Sequence, residues 1–133
     1  MTQEEILQYN KRCAEFLGAI YSDYAEAWGF GNAKNIGSKM FGGVMYHDVI
    51  QAERFEKELK FDSDWNWIME VKNHIIGLGY CWFQFPDTIQ INENFTISSK
   101  SICKVRFDKL QEKEAVVEAI NKFLIWYEQN KTV

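Results

Sequence analysis

Apolar residues recur at helical spacing near both ends of the chain and alternate like strands between them. Ile6, Cys13 and Leu17, with Phe16 beside them, share one face of a first helix. Thr2-x-x-Glu5 is a capping box, in which each side chain satisfies a free amide of the first turn, and Gly18 is the expected stop. A second helix opens at Asp62-Ser63-Asp64, where short polar oxygens accept the first amides and the acids suit the positive end. Its core stripe is Ile68, Val71, Ile75 and Leu78, widened by Trp65, Trp67, Met69 and Ile76. A helix this apolar is expected to be covered on more than one side, and Gly77 and Gly79 end it.

Residues 80–107 alternate. Cys81, Phe83 and Phe85 are expected to share the dry face with Ile89 and Ile91, Phe95 and Ile97, and Cys103, Val105 and Phe107. Thr88, Gln90, Thr96, Ser98, Lys104 and Arg106 take the wet positions. Phe85-Pro86-Asp87-Thr88 is a proline-preset turn. Asn92-Glu93-Asn94 and Ser98-Ser99-Lys100 supply further turns. This predicts an antiparallel four-stranded meander over about 80–107. The last helix is expected to start near Asp108, with Gln111 as capping partner and a stripe of Val116, Ala119, Ile120, Phe123, Trp126 and Tyr127 to lay on the dry face. Burying each such large side chain contributes about 1.5–3 kcal/mol.

Between the first two helices the pattern breaks down. Five of the eight glycines lie between Gly29 and Gly43, interleaved with Trp28, Phe30, Phe41 and Tyr46. Such a stretch reads either as a hairpin, residues 24–30 pairing with 40–46, or as a lid. Residues 48–58 read as a short exposed helix with Glu53→Lys57 and Glu56→Lys60 pairs. The expected architecture is a single α+β domain over residues 1–133. Its order is helix, irregular glycine-rich region, helix, meander, helix, with helices packed on one sheet face.

Composition narrows the function classes. With 133 residues, 47% of them apolar, the chain can bury a core. No apolar run approaches the ~18 residues of a membrane span. Fifteen basic against nineteen acidic residues give a net charge of −4, and only Arg12, Arg54 and Arg106 are arginines. That balance argues against a nucleic-acid partner. Cys13, Cys81 and Cys103 form no C-x-x-C pair and read as reduced, buried thiols. The amino terminus has no secretory pattern, so a cytoplasmic location is expected.

Few residues point to chemistry. Gly29-Phe30-Gly31 lacks the third glycine of a dinucleotide fingerprint, and Gly37-Ser38-Lys39 has the wrong order for a P-loop. Asp62-x-Asp64-x-Asn66 imitates a calcium loop, but Trp67 stands at the glycine position and Asn73 at the bidentate glutamate position. No cofactor or metal is therefore expected. Glu70 and His74, one helical turn apart, and His47-Asp48 are the catalytic candidates for an acid/base pair or ligand site near the glycine-rich 28–47 segment. A histidine at the edge of an apolar stripe is more often simply hydrogen-bonded. Tyr80 and Trp82 would lie beside Gln90 and Arg106 if the outer sheet face were open, which makes Tyr80, Trp82 and Arg106 interaction candidates.

Three segments carry a resemblance: Asn10-x-x-x-Ala14-Glu15-Phe16-Leu17-Gly18, Ser63-Asp64-Trp65-Asn66-Trp67-Ile68-Met69-Glu70-Val71, and residues 114–127 ending in Phe123-x-x-Trp126-Tyr127. Together they resemble a family of short bacterial and bacteriophage proteins with no established function. The three segments cover roughly a quarter of the chain. Glu70 departs from it, since the family commonly has proline there, and the stretch between Gly18 and Leu59 is longer. The resemblance implies an intracellular bacterial or phage setting and carries no catalytic residue. The leading expectation is a non-enzymatic module that binds its own copies or another protein. The alternatives are a small enzyme or ligand binder using His47, Asp48, Glu70 and His74, and a phage or mobile-element accessory protein.

Overall fold

The computed structural model describes residues 1–22, 27–30, 34–36, 39–41, 59–94, 100–107 and 111–130. Among these the fold is α+β, with three helices and a three-stranded antiparallel sheet besides two short hairpins. The chain groups into two compact units, Met1–Glu70 and Val71–Val133.

In the first unit, α1 (Gln3–Phe16) begins with the Thr2 half of its capping box: the Glu5 amide donates to Thr2 Oγ1 at 3.1 Å. It ends at Gly18, whose φ of +110° is a conformation a side chain would disfavour. The buried face is wider than the apolar pattern implied. Tyr9, Asn10 and Ala14 join Cys13 and Leu17 inside, while Ile6 and Phe16 are half-buried. Tyr9 and Asn10 can be buried because each is answered in the segment before the next helix. The Tyr9 hydroxyl donates to the Phe61 carbonyl at 3.0 Å, and Asn10 Nδ2 donates to Asp62 Oδ1 at 3.1 Å.

The glycine-rich region holds two local hairpins. β1 (Ala19–Ser22) pairs with β2 (Ala27–Phe30), and β3 (Lys34–Ile36) pairs with β4 (Lys39–Phe41), both antiparallel. The expected pairing of 24–30 with 40–46 is thus corrected, since β2 pairs upstream and β4 pairs with β3. Nearest-neighbour hairpins close shorter loops and so lose less chain entropy. The expected helix at 48–58 lies outside the described residues.

Helix α2 (Trp65–Gly77) starts at Asp64 as anticipated. Its carboxylate accepts the Asn66 amide at 2.9 Å, and its carbonyl accepts the Ile68 amide at 2.9 Å. Trp67, Ile68, Val71 and Ile75 are buried, and Trp67 meets Phe61 edge-on with centroids 5.0 Å apart. The expectation of cover on more than one side is corrected: Trp65, Met69, Ile76 and Leu78 are exposed. Gly79, at φ +99°, makes the left-handed exit.

In the second unit, β5 (Cys81–Gln84), β6 (Thr88–Asn92) and β7 (Ser101–Arg106) form one sheet in the order β5-β6-β7. Because β6 pairs directly with β7, the four-stranded meander is not confirmed. Phe95 and Ile97, its expected third strand, lie outside the described residues. The amide of Phe85 donates to the Thr88 carbonyl at 2.8 Å, so Pro86 and Asp87 form the predicted turn. Helix α3 (Glu112–Asn130) packs on β6 and β7, with Ala115, Val116, Ala119, Ile120 and Phe123 buried. It begins at Glu112, where the Gln111 carbonyl takes the Ala115 amide, rather than at Asp108, which is not among the described residues.

The sheet register corrects the expected facing of the first strand. Trp82 lies opposite Ile91 and Gln84 opposite Ile89, while Ile91 and Ile89 lie opposite Cys103 and Val105. Opposed residues share a face. Trp82 therefore joins Ile89, Ile91, Cys103 and Val105 on the face that receives α3, where Cys103 Sγ lies 3.5 Å from the Ala119 carbonyl. Cys81 and Phe83 belong to the other face, with Gln90, Lys104 and Arg106.

Candidate functional site

Of the residues proposed for acid/base or metal chemistry, Glu70 and His74 are among the described residues. His47 and Asp48 lie outside the described residues. Glu70 is exposed and His74 half-buried, one turn apart on α2. Among the described residues no group of three or more His, Cys, Asp or Glu side chains is arranged to hold a metal ion.

The thiols are unsuited to nucleophilic work. All three cysteines are free and buried. Burial pushes the Cys103 thiol up to about 11, although Lys122 and a hydrogen bond from the Ile91 backbone pull the other way. Burial raises Cys81 too, and raises Cys13 much further. The neutral form is held in each case, and the nucleophile is the thiolate.

The aromatic candidates prove to be placed differently from one another. Tyr80 meets Phe123, Trp126 and Tyr127 edge-on, with centroids 4.9, 5.9 and 6.4 Å away, while Phe123 and Tyr127 stack at 5.8 Å. Its ring is committed to the carboxy-terminal half of α3. Trp82 is half-buried, with the Lys72 ammonium 5.1 Å from its ring centroid. Its indole N–H donates to Gln84 Oε1 at 3.1 Å, and Gln84 Nε2 donates to Glu112 Oε1. Arg106 is exposed on the opposite sheet face. Tyr80 and Trp82 therefore do not sit beside Gln90 and Arg106 as one open surface.

Three residues expected in the core form the outer stripe of α2 instead. Trp65, Met69 and Ile76 are 40%, 37% and 44% exposed. Their spacing of i, i+4 and i+11 puts them on one helical face, and Lys72 at i+7 completes the row. Leu78, just past the helix, is exposed as well. Isolated exposed apolar residues are ordinary, but a row containing tryptophan and methionine is the composition of an interface centre.

No helix among the described residues is long and apolar enough to cross a membrane. No family model, curated protein or solved structure matches the chain.

Proposed function

We propose that the protein is a non-enzymatic association module that binds protein, in the first instance a second copy of itself, through the outer stripe of α2. The observation that carries this reading is the row of Trp65, Met69 and Ile76, each more than a third exposed on one helical face. Leaving such a row in water forgoes about 25 cal/mol for every Å² of apolar surface that a partner could cover. A helix presenting anchors at this spacing is a recurrent way of entering a partner's groove or pairing with a partner's helix. Trp65 and Met69 also fall in the segment that resembles the bacterial and phage family, which supports an intracellular setting in a bacterium, for a bacterial or a phage protein.

The test is solution mass by size-exclusion chromatography with light scattering, at low and high salt, on the wild type and on Met69→Lys/Ile76→Lys. Both changes are at exposed positions, so the variant is expected to fold, which circular dichroism checks. The expected result is a salt-resistant oligomer that becomes a monomer in the variant. A wild type that stays monomeric up to about 0.5 mM, weaker than ordinary specific association, overturns the proposal. So does an oligomer that the double variant leaves intact.

A further inference from the structure

We draw no further inference here: the strongest candidate, the buried and unpaired Oδ1 of Asn10 in the Met1–Glu70 unit, carries nothing because the amide meets Asp62 with its nitrogen, so its oxygen is not aimed at the acidic pair Asp62 and Asp64, and nothing in the structure shows what it would hold.

Discussion

Replacing Tyr9 with phenylalanine separates the bonding of its hydroxyl from the packing around its ring. The ring of Tyr9 is fully buried, and phenylalanine keeps that ring, so the apolar area removed from water is unchanged. What disappears is the hydroxyl, which donates to the Phe61 carbonyl across 3.0 Å and also interacts with the Cys13 thiol. A typical net hydrogen bond contributes about 0.5–1.5 kcal/mol, but leaving its buried acceptor unpaired costs about 1–3 kcal/mol. Phe61 is itself fully buried, so the larger range applies, and a loss of about 2 kcal/mol is expected. Asn10→Leu is the instructive companion. It removes the hydrogen bond to the half-buried Asp62, which water can partly replace, but it also removes an oxygen that has no partner. The two effects oppose, so the net change should stay within about 1 kcal/mol. Urea unfolding followed by tryptophan fluorescence measures both, with Trp67 reporting from its edge contact with Phe61. A Tyr9→Phe loss below about 0.5 kcal/mol, or a larger loss for Asn10→Leu than for Tyr9→Phe, would refute this account of the Tyr9–Phe61 and Asn10–Asp62 tethers.

Cys103 makes stability sensitive to alkali. Its thiol ionises at about 11 when folded, against an ordinary 9.0, so the unfolded chain loses its proton first. The contribution is intact below about pH 9 and drains away as pH rises toward 11, by on the order of 2–3 kcal/mol. Cys103→Ala should therefore show a shallower fall in urea midpoint between about pH 8 and about pH 10.5, and an unchanged slope would count against burial as the cause. Gly79 and Gly77 should respond in opposite directions to alanine. Open space surrounds both, but only Gly79 has a positive φ, so Gly79→Ala should cost about 1–2 kcal/mol. Gly77→Ala should gain about 0.4–1 kcal/mol, and thermal unfolding that moved both midpoints the same way would contradict the left-handed exit from α2. Tyr80→Leu keeps an apolar side chain but loses three ring-edge contacts, so it should cost about 1–2 kcal/mol and flatten the near-ultraviolet dichroism. An unchanged spectrum would mean that Tyr80 is not held in that cluster.

Much of the local structure is legible in the chain because it depends on neighbours in sequence. Thr2 caps α1, Asp64 caps α2, Gly18 and Gly79 end them, and Pro86-Asp87 turns the first sheet hairpin. In each case a short side chain or a backbone freedom acts within a few residues of itself. The facing of β5 also has its signal in the chain. The two-residue turn between Phe85 and Thr88 requires Gln84 to oppose Ile89 and Trp82 to oppose Ile91, and counting back from it would have turned Trp82 toward the helix. Alternation alone misled because both faces of β5 are apolar, Cys81 and Phe83 on one and Trp82 on the other.

The sequence by itself determined where the first two helices begin and end, the α+β class, and the dry character of Ile89, Ile91, Cys103 and Val105, because periodicity and capping are local properties. Only the tertiary structure decided which apolar residues are covered. Tyr9 and Asn10 are inside because Phe61 and Asp62, distant in sequence, supply acceptors for the Tyr9 hydroxyl and the Asn10 amide nitrogen. Trp65, Met69 and Ile76 are outside although they are as apolar as their buried neighbours on α2. Burial is a relation between surfaces, and a helix read alone shows how much apolar face it has but not which part another element will reach.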